Sequence, residues 1–175
     1  MNLTVKYAEM LNINGMSENE RKFSLRRVFN RDIQDNPDLK FLSKVIRPIK
    51  KDGIASMDTV FGHLTTARVE EIDGNGKSFQ KSVFEPQRSV RLHWVRHHLD
   101  QGEHPDVTVF SYTDRKSRKD VIRTYIYNPN KKYVVVLEPQ DSKRDYYLLS
   151  AYYLYESWGQ KSIENKLKNK LPEVY

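Results

Sequence analysis

Tyr133-Val-Val-Val-Leu-Glu138 and, after a polar gap, Tyr146-Tyr-Leu-Leu-Ser-Ala-Tyr-Tyr-Leu-Tyr155 decide the fold. The first stretch is a short apolar run rich in β-branched residues, the pattern of a strand buried on both faces. The second is a long strand, apolar or aromatic at nearly every position, with one small hydroxyl, Ser150, in its middle. Two further strands precede them, Val107-Thr-Val-Phe-Ser-Tyr112 and Val121-Ile-Arg-Thr-Tyr-Ile-Tyr127. A charged turn, Asp114 to Asp120, and Asn128-Pro129-Asn130 separate the runs. Connections this short imply an antiparallel meander.

Working outward, the tail from Gln160 to Leu171 places Ile163, Leu167 and Leu171 on one face among Lys and Asn, an amphipathic helix with a basic outer face. Upstream, Arg68-Val-Glu-Glu-Ile-Asp73 and Lys77 to Phe84 flank Gly74-Asn-Gly76, which signals a hairpin. Pro86 suits the first turn of a helix running to about Leu99, ended by Gly102. One side of that helix is apolar, through Val90, Leu92, Trp94, Val95 and Leu99. The other carries Arg88, Arg91, Arg96 and His97.

The first third has helical spacing. Ser17 with Glu20 forms a capping box before Phe23, Leu25, Val28, Phe29 and Ile33, and Asn36-Pro37 ends that helix. Leu39, Phe41, Leu42, Val45 and Ile46 give a second apolar stripe, read as another helix that Pro48 stops. Asp52-Gly53 is a turn, and Ser56 caps a short helix from Met57 to about Leu64. The expected class is therefore α+β: N-terminal helices packed on a central antiparallel sheet of four to six strands, with a C-terminal helix. The division expected is a helical region over 1–56 and an α+β domain over 57–175.

The bulk composition limits function. With 30 Lys and Arg against 23 Asp and Glu, the net charge is +7, which favours an anionic partner, nucleic acid above all. The absence of cysteine excludes disulfides, Cys-based zinc sites and thiol nucleophiles. Polar residues interrupt every apolar run near Met1, unlike a secretory signal, and no window approaches the ~20 apolar residues of a membrane span. No membrane association is expected, and a cytoplasmic location is.

His93 and His97 are an i, i+4 pair of the kind zinc uses, but no Glu lies between them and the arginines of the same segment repel a cation. Neither a metal site nor a cofactor is expected. Gly74-Asn-Gly76-Lys77 lacks phosphate-loop spacing, and Ser150 lacks the glycines of a nucleophile elbow.

General acid–base chemistry on RNA remains. RNA carries its own nucleophile, the 2′-OH, so a metal-free nuclease needs a base, an acid and donors for the charged phosphorane. Histidine suits the first two roles and arginine the third. The candidates are His63, Arg91, His93, Arg123, Ser150 and Tyr152. Arg88, Arg96, His97, Lys116 and Arg118 are candidates for binding the nucleic acid. Each catalytic candidate has a structural alternative. His63 can cap or pack at a helix end, and His93 can pack beside Trp94. Arg91 and Arg123 can pair with Glu70, Glu71 or Glu138. Ser150 can be a small residue where the sheet meets a helix.

Arg88-x-x-Arg91-Leu-x-Trp94, then Pro105, the Tyr133 to Leu137 strand and Leu148-Leu-Ser-Ala-Tyr152 follow an order that resembles the phage-associated Barnase–EndoU–colicin–RelE-like (BECR) nucleases. The resemblance spans roughly residues 57 to 156; Ser150-Ala-Tyr152 stands where that family commonly has Thr-Ala-Tyr. It implies helices on a curved antiparallel sheet, metal-independent endoribonuclease activity, a toxin role in bacterial or phage conflict, and an immunity or antitoxin protein as partner. It points to His63, Arg91, Ser150 and Tyr152. Two other classes fit the same composition: a non-catalytic RNA- or DNA-binding module, and a phage protein-interaction or inhibitor protein.

Overall fold

The computed structural model describes residues 9–48, 50–51, 54–100, 104–116, 118–140 and 145–175. In chain order the elements are α1 (Glu18–Phe29), running on through a π-helical turn (Asn30–Gln34), β1 (Lys40–Phe41), β2 (Lys44–Pro48), β3 (Lys50–Lys51), β4 (Ile54–Ala55) and α2 (Met57–Thr65). They continue with β5 (Thr66–Ile72), β6 (Ser78–Phe84), α3 (Pro86–Ser89), α4 (Trp94–Asp100), β7 (Thr108–Lys116), β8 (Lys119–Asn128), β9 (Tyr133–Pro139), β10 (Asp145–Tyr153) and α5 (Ser157–Lys168). The fold is α+β. A six-stranded sheet in the order β1-β2-β10-β9-β8-β7 is antiparallel throughout except where β2 runs parallel to β10.

The sheet carries a core on each face, which is why β9 reads as unbroken apolar sequence. Tyr133, Val135 and Leu137 point into the larger core with α1, α2 and α4. Val134 and Val136 point into the smaller one, which Ile163 and Leu167 of α5 close. The expected meander and C-terminal helix are present, and Ser17 and Glu20 form the capping box reciprocally.

Two sequence expectations are corrected. Residues 40–48 form a tight strand pair instead of a helix. Phe41 and Ile46 are buried, whereas Leu42 and Val45 are exposed, so no helical stripe survives. Leu42 takes φ 53° in the turn between the strands. Short apolar runs with β-branched residues fit either state, and here pairing with β10 selects the strand. The region 1–56 therefore adds strands to the central sheet, and Leu25, Phe29 and Ile33 share one core with Val60, Leu92 and Leu137. The Asp52-Gly53 turn and Gly102 lie outside the described residues.

The helix expected from Pro86 to Leu99 is interrupted between α3 and α4. There the backbone makes i→i−3 bonds, including Leu92 N–H to Ser89 O at 3.2 Å and Trp94 N–H to Arg91 O at 2.8 Å. Every side chain from Arg91 to Val95 is buried. A surface helix buries only a stripe, so this run needs tighter winding under β9.

Candidate functional site

A cleft of about 900 Å³ lies beyond the point where β2 stops. Pairing of β2 with β10 ends at Pro48 opposite Leu148. A bulge follows, in which Leu149 has no cross-strand partner in the register with β9. The cleft is lined by the C-terminal half of α2, the base of the β5–β6 ribbon, α3, the end of β10 and the start of α5.

His63 is positioned by the bulge. Its Nδ1 lies 3.1 Å from the Leu149 carbonyl. A carbonyl only accepts, so Nδ1 carries the hydrogen and the neutral ring keeps Nε2 as a proton acceptor. The His63 carbonyl, in the last turn of α2, accepts from Arg88 Nη1 at 3.0 Å and from Ser150 Oγ at 3.4 Å. Arg88 Nη1 also donates to the Thr66 carbonyl at 2.9 Å. One guanidinium thus satisfies carbonyls that a helix end leaves open.

Burial pulls the Arg88 pKa down, against the favourable fields of Glu85 and the nearby tyrosines. The guanidinium stays charged at any physiological pH. Its carbon sits 5.6 Å from the centre of the Tyr152 ring. Burial raises the Tyr152 hydroxyl, with Arg88 opposing, so at neutral pH the phenol keeps its proton. Thr66, Arg68, Tyr155 and Trp158 also line the cleft, together with two carboxylates, Glu85 and Glu156.

The structure brings His63, Ser150 and Tyr152 together in this cleft, with Arg88. Arg91 does not line it. Its side chain is buried, donates through Nη1 to the Gln87 carbonyl and to Gln87 Oε1 at 2.9 and 2.8 Å, and lies 3.7 Å from the Tyr153 ring centre. His93 is buried beside Trp94. Arg123 pairs with Asp114 at 3.4 Å on the α5 side of the sheet, not with Glu70, Glu71 or Glu138. Among the binding candidates Arg88 lines the cleft. Arg96, which pairs with Asp100, and His97 lie along α4, and Lys116 and Arg118 lie at the β7–β8 turn.

Arg68, Tyr155 and Trp158 were not among the sequence candidates. Trp158 carried a usable signal: it falls off the Ile163/Leu167 stripe of its helix yet is large and apolar. Among the described residues no three His, Asp or Glu side chains gather as metal ligands would, and no helix is long and apolar enough to cross a membrane. No protein-family model, curated protein or solved structure matches the chain.

Proposed function

We propose that the cleft binds RNA and cleaves it without a metal ion, the reading that the BECR-like motif order also suggests. The observation that carries it is the Nδ1 contact of His63 to the Leu149 carbonyl. That contact leaves Nε2 as a base in a cleft with a half-buried cation. In this mechanism Nε2 takes the proton of the RNA 2′-OH. The 2′-oxygen bonds to phosphorus, and the 5′-oxygen leaves with a proton from the Tyr152 phenol or from the imidazolium. Arg88 stabilises the phosphorane electrostatically from the cleft wall, and Arg68 holds a flanking phosphate. The protein would act in the cytoplasm as a toxin-type RNase, and an immunity protein would neutralise it by covering the cleft.

Pure protein incubated with total RNA should produce fragments with 2′,3′-cyclic phosphate ends, equally with and without a chelator, and should leave DNA intact. Loss of cleavage with chelator, or equal cleavage of DNA, overturns the mechanism. Exposed Trp158 and Tyr155 favour a second reading, a non-catalytic RNA-binding module. Tight RNA binding by folded protein without any cleavage selects that one.

A further inference from the structure

Two tyrosines and an arginine pack together at the edge of the cleft. Arg91, held by Gln87, lies over the Tyr153 ring at 3.7 Å. The Tyr153 and Tyr155 rings follow, with centroids 6.3 Å apart and planes 27° from parallel. Tyr155 is 55% exposed, and Trp158, on the same cleft wall, is 72% exposed. The chain's other tryptophan, Trp94, is 5% exposed.

The backbone between these aromatics is fixed. Leu154 is buried, its N–H donates to Lys132 O at 2.7 Å and its carbonyl accepts from Gln160 Nε2 at 3.0 Å. Gly159 is buried too, and a Cβ there would stand 3.4 Å from Leu154 Cδ2, so the first turn of α5 sits close against Leu154. Two large rings are thus left in water on a rigid frame, where burying either would be favourable. Arg68 and Arg88 share the cleft with them, as do Glu85 and Glu156. Aromatic faces beside cations on a preorganised surface suit unpaired nucleobases and their phosphates. They do not suit a duplex, whose bases are already stacked on each other.

We propose that Tyr155 and Trp158 form a base-stacking platform that takes an unpaired nucleotide, so that the ligand of the cleft is single-stranded RNA or an RNA loop. The proposal rests on the RNA reading above and adds strandedness to it.

Fluorescence anisotropy with a labelled 2′-O-methyl oligoadenylate, which lacks the nucleophile for cleavage, the same strand annealed to its complement, and inorganic polyphosphate tests it. Wild type should bind the single strand more tightly than the duplex. Tyr155→Ala should weaken single-strand binding about tenfold, the usual worth of one stacked base, and Tyr155→Phe should restore it. Polyphosphate binding should be the same in all three proteins. Trp158 emission should be quenched by the single strand and not by polyphosphate. Wild-type affinity in Tyr155→Ala and in Trp158→Ala, or equal losses on polyphosphate, overturns the platform while leaving the RNA reading intact. Failure of the wild type to bind either RNA overturns both.

Discussion

Two polar clusters, one beneath α5 and one in the cleft, use their cations in opposite ways. Beneath α5, the Asp114 carboxylate accepts from Lys166, Arg123 and Tyr125, so a buried carboxylate meets two half-buried cations. In the cleft, Arg88 donates to the carbonyls of His63 and Thr66, and among the described residues it makes no ion pair. The first arrangement neutralises charge and fastens a helix to the sheet. The second orders a guanidinium, on which Glu85 acts through its field but without an ion pair, next to a histidine whose tautomer is set. A cation spent on a carboxylate is structural; one anchored by carbonyls keeps a field for an anionic ligand.

The largest expected effect breaks the closed cluster. Asp114→Ala leaves the buried Tyr125 hydroxyl without its acceptor and two half-buried cations without their partner, and should cost about 3 kcal/mol of stability, the upper end for orphaning a buried polar group. Urea unfolding measures it. RNA cleavage per folded molecule should change far less than in the cleft variants below, through the fields of Asp114 and Arg123 at the Tyr152 hydroxyl, and an equal loss would mean that the two clusters act as one.

A contrast between histidines comes next. Burial pushes His98 down to about 4, its Nδ1–H donating to the Trp94 carbonyl at 2.8 Å. Between that value and the ordinary 6.5 the unfolded chain binds the extra proton. Stability is therefore full above pH 6.5 and falls as pH drops towards 4, by no more than about 3 kcal/mol from this group. Chemical denaturation across that window checks it. His98→Asn should flatten this part of the acid limb while lowering the baseline.

Opening the cleft cluster should act on rate more than on fold. Arg88→Gln should slow RNA cleavage roughly 10²-fold and cost about 1–2 kcal/mol for the lost carbonyl bonds. Cleavage at the wild-type rate would remove Arg88 from the chemistry. The smallest effect is on binding by charge. RNA affinity should fall at least tenfold between ~50 and ~200 mM salt, because several phosphates are neutralised. A flat response in a salt titration would assign the basic surface to solubility alone.

Legibility followed local chemistry. The capping box at Ser17, the Gly76 hairpin and the unbroken β9 run were readable, because one side chain or one periodicity dictates each. Residues 40–48 were not, since their state is settled by a strand a hundred residues away. The site was half legible. His63, Ser150 and Tyr152 do converge on one cleft. Arg88 and Arg91 would share a face on a regular helix, so the sequence could not separate them. The tight turns after Ser89 do: Arg88 goes to the α2 carbonyls, Arg91 to the Tyr153 ring. The bulge at Leu149, which supplies the carbonyl for His63, has no glycine or proline to announce it.

The central claim, that His63 Nε2 is the base of a metal-free cleavage, is tested most directly by His63→Asn. The asparagine amide reproduces the Nδ1–H donor towards the Leu149 carbonyl and lacks the second nitrogen. Single-turnover cleavage of a defined single-stranded RNA in the presence of EDTA should slow by roughly 10²-fold or more, with the melting temperature close to wild type. Undiminished cleavage by the folded variant would contradict the account.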